Sequence, residues 1–136
     1  MAAWENNTPA GLVSQHQSAR YLSAQELEQF AAQLYAKMGY QVQRTGRTGD
    51  HGVDVYLINP EKQVELVQCK QWNRPVGEPQ VRDLYGAMAH AKAVRGWLWA
   101  PRGFSEAAKQ WARKKSIILV DDGEIGRLIE STYHES

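Results

Sequence analysis

Gly49-Asp50-His51-Gly52-Val53-Asp54-Val55-Tyr56-Leu57-Ile58, then Asn59-Pro60-Glu61-Lys62-Gln63, then Val64-Glu65-Leu66-Val67-Gln68-Cys69-Lys70-Gln71-Trp72, is the segment from which the architecture can be worked out. Two runs rich in β-branched and apolar residues flank an Asn-Pro turn, which predicts a β-hairpin. The hairpin carries unexpected polar groups. Asp54 lies within the first apolar run. Gln68 and Lys70 are two apart in the second, so the strand period puts them on one face. An acid, an amide and an amine on half-buried strands are costly to desolvate unless they serve one another or a ligand. Cys69 falls on the opposite face and reads as core.

Outward from the hairpin, the spacing predicts helices and further strands. Ser23-Ala24-Gln25-Glu26 is a capping box, and Leu27, Phe30, Ala31, Leu34 and Met38 form one helical stripe that Gly39 closes. Glu28 lies beside that stripe, on the flank shared with Tyr35. Residues 40–45 alternate as a strand. The loop from Gly46 to Gly52 is glycine-rich, but it lacks a Gly-Lys-Ser/Thr ending and leads into a strand, which excludes a P-loop. After Pro75, Pro79 opens a second helix with the stripe Val81, Leu84, Tyr85 and Met88, running out near Val94. Trp97 to Ala100 reads as a strand with both tryptophans on one face, in the core. Ser105 caps a third helix, Ile117 to Val120 reads as a strand covered on both faces, and Asp121-Asp122-Gly123 turns into a short last helix.

The expected architecture is therefore α/β: a mixed central sheet flanked by helices. Its early strands form an antiparallel meander, and its later ones are parallel because a helix joins them. The 136 residues suit one domain. Residues 1–22 read as a flexible N-terminal arm and 23–136 as the folded domain. No apolar run is long enough to cross a membrane, and the N-terminus lacks a signal-peptide pattern. One cysteine excludes an internal disulfide, so a cytoplasmic location is expected. The net charge of +1 hides a strong segregation. Residues 41–115 hold thirteen basic and seven acidic side chains, a net of +6, whereas residues 116–136 hold one basic and five acidic, a net of −4. A basic middle segment fits a polyanionic partner.

Asp54, Gln68, Lys70 and Glu28 together suggest a chemistry. A hard divalent cation such as Mg²⁺ takes oxygen ligands. Asp54 offers a carboxylate, Gln68 an amide oxygen, the Cys69 backbone a carbonyl, and Glu28 a second carboxylate from the first helix. Water held by such a cation can be the nucleophile. Lys70 can orient or deprotonate that water, or stabilise charge on a phosphate. Taken singly, each residue has an ordinary structural reading: a turn-capping Asp, a snorkelling Lys, a surface Glu. The placement of Asp54 and the Gln-x-Lys pair on adjacent strands favours the joint reading. His51, Arg44, Arg47, Arg74, Gln80 and Arg102 are weaker candidates for contacting DNA. Cys69 and the four histidines have no zinc spacing.

Residues 23–130 resemble the Mrr-type restriction endonuclease family of the PD-(D/E)xK nuclease superfamily. The resemblance runs through Glu28, Gly39-Tyr40, Asp50-x-Gly52-Val53-Asp54, Val67-Gln68-Cys69-Lys70, Gln80-Val81-Arg82-Asp83-Leu84, Phe104-Ser105-x-x-Ala108 and Asp122-Gly123. It implies a restriction-endonuclease-like αβββαβ core and a Mg²⁺-dependent DNA endonuclease, with Mn²⁺ as a substitute and often methylated DNA as substrate. By the same resemblance, Asp54 is the metal-binding acid, Gln68 stands where the superfamily has a second acid, Lys70 is the catalytic lysine and Glu28 assists at the metal. Cutting both strands implies a homodimer. No membrane and no nucleotide cofactor are expected. The alternatives are a structure-selective nuclease of the Holliday-junction resolvase kind, a DNA-binding module that kept the fold without cutting, and a purely structural domain.

Overall fold

The computed structural model describes residues 18–45 and 52–133. Five strands make one sheet in the order β1-β2-β3-β4-β5: Gln41–Arg44, Val55–Ile58, Val64–Cys69, Arg95–Trp99 and Ile117–Val120. Among the described residues four α-helices accompany them: α1 (Ala24–Lys37), α2 (Glu78–Ala91), α3 (Glu106–Ala112) and α4 (Asp122–Tyr133). The first three strands are an antiparallel meander. β3, β4 and β5 are parallel, linked through α2 and α3. This is the mixed α/β sheet expected from the sequence, with its αβββαβ order.

The local chemistry explains most boundaries. Ser23 Oγ accepts from the Glu26 N–H while Glu26 Oε1 accepts from the Ser23 N–H, so the capping box forms. The core stripe of α1 differs from expectation at its end. Tyr35 is fully buried and Met38 is exposed, because the helix stops at Lys37 and Gly39 turns the chain at φ +107°. α2 ends on Lys92 in the left-handed region (φ 56°). The last helix is longer than a short one: Asp121 Oδ1 accepts from the Glu124 N–H, and twelve residues follow as helix from Asp122.

The sheet separates two apolar layers. Val55, Leu57, Val67, Trp97, Trp99 and Val120 pack with α1 and α4. Leu66, Leu98 and Ile117 pack with α2 and α3. The alternation of facing follows from the two-residue strand period. Both tryptophans of β4 serve the first layer: Trp99 Nε1 donates to Tyr35 Oη at 3.0 Å and Trp97 Nε1 to Glu65 Oε1 at 2.9 Å. Gly96 lets α2 lie against β4, since a Cβ there would come within 2.6 Å of Met88 Sδ.

Residues 18–22, assigned by the sequence to the arm, are part of the packed structure. Ala19–Tyr21 form a 3₁₀ turn, and Ala19 and Leu22 are buried. Ser18 and Ala19 donate to the Asp122 carboxylate (both 3.0 Å), while Gln71 Nε2 donates to the carbonyls of Ala19 (2.9 Å) and Leu22 (2.8 Å). The polar side chain that follows Lys70 thus fastens this segment to the sheet.

Candidate active site

The hairpin aligns the polar groups. β2 and β3 pair Val55 with Val67 and Ile58 with Val64. The paired register stops at Val55–Val67, and the facing changes at Asp54: Val55 packs in the α1 layer, Val53 two residues earlier in the α2 layer. Asp54 N–H donates to Val67 O at 3.0 Å, one residue out of that register, so the ladder shifts at the acid. At the turn, Asn59 fixes the register: its Oδ1 accepts from the N–H groups of Glu61 and Gln63, both at 2.9 Å.

Asp54 is 8% exposed, and its Oδ2 accepts from the Cys69 N–H at 2.6 Å. Burial is the main cause that pushes its carboxyl up to about 7, and the Cys69 N–H works against it. The carboxylate of Glu28 raises it further by like charge and by hydrogen bonding, and Lys70 offsets part of this. So α1 delivers Glu28 to Asp54, and the residue that follows β3 delivers Lys70 to Asp54. Glu28 is also paired with Arg44 at the end of β1, Oε1 to Nη2 3.6 Å. Lys70 N–H donates to Trp99 O at 2.8 Å, so its backbone is held by β4.

Gln68 is 2% exposed, and its Nε2 donates to Gly52 O at 3.0 Å. Gly52 sits at φ +78°, and a Cβ there would collide with Gln68 Nε2. Its missing side chain is what lets the amide reach the loop. Cys69 plays two parts. Its N–H serves Asp54, while its side chain packs toward the layer of α1, where burial and then the nearby Asp54 push the thiol well above its ordinary value.

The donors present suit a hard divalent cation. Among the described residues no three His, Cys, Asp or Glu side chains converge. Two carboxylates do meet, Asp54 just before β2 and Glu28 on α1, with Lys70 near Asp54 and the Gln68 amide on the adjacent strand held by Gly52 O. The upward displacement of Asp54 comes first from burial and then from the Glu28 carboxylate, and a hard cation would favour its ionised form.

The weaker candidates divide. Arg47 and His51 lie outside the described residues. Arg74 is exposed, its guanidinium carbon 4.5 Å from the Trp72 ring centre, and Lys70 Nζ is 6.0 Å from the same ring. Gln80 is half-buried in the first turn of α2, and Arg102 is exposed in the turn after β4. The pairing of Arg44 with Glu28, the Trp72 platform and the Gln71 clamp were not legible from spacing. Each joins residues that local periodicity does not relate.

Comparison with known proteins gives the family and the fold. Residues 19–129 match the restriction endonuclease family of Mrr catalytic domains. A curated Escherichia coli (strain K12) protein, the type IV methyl-directed restriction enzyme EcoKMrr, is 32% identical over 110 residues, covering 76% of this chain. The chain spans 36% of that relative's length. Among solved structures, a repair endonuclease from Pyrococcus abyssi is similar with TM-score 0.60 and 20% identity, over 74% of this chain and 46% of the other. The DNA modification-dependent restriction endonuclease AspBHI is similar with TM-score 0.62 and 18% identity, over 96% and 36%. At those identities the likeness is one of fold. With a family match across most of its length, the chain belongs to the Mrr-type restriction endonucleases.

Proposed function

We propose that this protein is a metal-dependent DNA endonuclease that hydrolyses phosphodiester bonds. The observation that carries the reading is the meeting of Asp54 with Glu28 and Lys70, next to Gln68 on the adjacent strand, with the Asp54 carboxyl pushed up to about 7 first by burial. Asp54, Glu28 and the Gln68 amide oxygen, with the Cys69 carbonyl, would hold Mg²⁺, or Mn²⁺ in its place. When bound, the ion supplies Lewis-acid polarisation of the phosphate and a water acidified toward hydroxide.

The chain's own residues do the rest. The Cys69 N–H fixes one oxygen of Asp54 and so sets the direction of the other. Gln68 is oriented by Gly52 O, which takes its amide hydrogen and turns the oxygen away from the loop. Lys70 Nζ places a positive charge beside the carboxylates, where it can orient the attacking water and stabilise the extra negative charge on the phosphate. Gln68 in place of an acid removes one negative charge from the donor set, and Glu28 restores it from α1. A Gln68→Glu protein should therefore bind Mg²⁺ more tightly than the wild type. Weaker binding by titration calorimetry would sink that role for Gln68.

The E. coli relative is named a methyl-directed enzyme, so methylated DNA is the substrate to try first. A dimer would give one site per strand. The lone cysteine and a DNA substrate fit a cytoplasmic setting, and no helix among the described residues is long and apolar enough to cross a membrane. The test is plasmid nicking with Mg²⁺, Mn²⁺ or EDTA on methylated and unmethylated DNA, with Lys70→Ala alongside. Metal-dependent cutting that Lys70→Ala abolishes is expected. Equal cutting by both proteins would remove Lys70 from the chemistry, and cutting in EDTA would remove the metal.

A further inference from the structure

Away from the carboxylates, the outer faces of α2 and α3 enclose a shallow groove of about 470 Å³ lined by Glu78, Ala107, Gln110, Trp111 and the consecutive cations Arg113, Lys114 and Lys115. The stretch Lys109-Gln110-Trp111-Ala112-Arg113-Lys114-Lys115 carries four positive charges and no acid, and among the described residues only Lys109 of them is ion-paired, with Glu106. Its cations are held in an unusual way. Lys115 Nζ stands 4.2 Å from the Trp111 ring centre and 5.5 Å from that of Tyr85. Arg82, which is ion-paired with Glu78, stands 5.0 Å from the Trp111 ring centre, and the two rings meet edge to face at 5.4 Å. A cation held by a carboxylate has its charge neutralised. A cation held by an aromatic face keeps its charge and loses part of its freedom, so less entropy remains to be lost when it meets an anion. Arg113 and Lys114 are exposed and form no ion pair among the described residues.

The patch lies apart from the candidate active site. β3, β4 and β5 are parallel, so their C-terminal ends lie together with Lys70. α2 and α3 start at that end and run back. Tyr85 comes seven residues after Glu78, about 10 Å down α2 at ~1.5 Å per residue. Residues 113–115 precede the start of β5 at the opposite end.

We propose that this cation–aromatic patch is a second nucleic-acid contact, taking the sugar-phosphate backbone of duplex DNA that extends beyond the segment at Asp54 and Lys70. The proposal rests on the reading of DNA as substrate. Its charge, its consecutive cations and the edge-to-face contact of its two rings favour a backbone contact without sequence readout.

The test measures binding of a labelled long duplex by fluorescence anisotropy over a salt series, in the Lys70→Ala chain so that DNA stays intact. Adding R113A/K114A should weaken low-salt affinity about tenfold and reduce the salt slope by about 2, close to 0.9 for each phosphate that is no longer neutralised. An unchanged slope and affinity would overturn the proposal and leave the face to an acidic protein. A parent chain that binds no duplex would overturn it as well. Plasmid nicking separates the two readings. If R113A/K114A binds weakly yet nicks at saturating DNA, the patch stands and catalysis is independent of it. If binding depends on the patch but the wild-type chain never nicks with any metal, the patch stands and the nuclease reading falls.

Discussion

At the scale of single residues, Asp54 and Gly52 show how a site is held in tension. The folded chain keeps a proton on Asp54 up to a pH of about 7, against an ordinary value of 3.8. Between those values the native state binds more protons than the unfolded state, so stability falls as pH rises through that window. The penalty is absent below about 4 and complete above about 7, and is worth up to about 4 kcal/mol. Urea unfolding in EDTA should therefore show wild type losing stability from pH 5 to pH 8 relative to Asp54→Asn. Mg²⁺ should flatten that difference by favouring the ionised form. A wild-type protein that tracks Asp54→Asn across this range would show that the carboxyl is not displaced. Gly52 is constrained from two sides, by its φ of +78° and by Gln68. Gly52→Ala should cost about 1–3 kcal/mol in urea unfolding and should weaken Mg²⁺ binding as Gln68 swings away. Loss of stability with unchanged metal affinity would separate Gln68 from the metal.

At the scale of elements, the hairpin is braced by an acid that no local pattern singles out. Glu65 is 1% exposed, in the middle of β3. Its Oε1 accepts from Trp97 Nε1 and its Oε2 from Asn59 Nδ2, both at 2.9 Å, with Arg95 Nη1 at 3.7 Å. The one carboxylate ties the hairpin turn, β3 and β4 together. Removing it strands two buried donors and the charge of Arg95, so Glu65→Ala should lose about 3–5 kcal/mol. Glu65→Gln keeps the shape and one acceptor and should lose about half as much. Chemical denaturation of the two variants gives the comparison, and equal losses would mean that packing rather than hydrogen bonding carries the effect. Period-two facing made Gln68 and Lys70 legible because both point away from Cys69. Glu65 falls on the other face, among tryptophans whose position depends on β4.

At the scale of the whole molecule, the 3₁₀ turn at Ala19–Tyr21 joins the two ends of the fold. It is bonded to Asp122 at the start of α4 and to Gln71 at the end of β3. Gln71→Ala removes two hydrogen bonds of roughly 1 kcal/mol each. The expected result is faster amide exchange over residues 19–22 and a stability loss of about 1–2 kcal/mol, with the exchange of β4 unchanged. Protection that persists in residues 19–22 would mean that Asp122 and the buried Ala19 hold the segment alone.

Local pattern along the chain was enough to set the order of elements, the antiparallel meander, the parallel strands after it, and the polar groups Asp54, Gln68 and Lys70 within the hairpin. Those features follow from short-range causes: strand and helix periods, a capping box, an Asn-Pro turn, and the rule that a helical crossover makes its strands parallel. Only the closed fold makes Tyr35 core, clamps residues 18–22, turns Glu28 toward both Asp54 and Arg44, and lays Lys115 on Trp111. Each of these depends on side chains that no local period relates or on the angle at which a helix meets the sheet. The physical reason is the range of the interactions: backbone preference and hydrophobic period act within a few residues, whereas desolvation, like-charge repulsion and ring packing depend on what the closed fold places nearby.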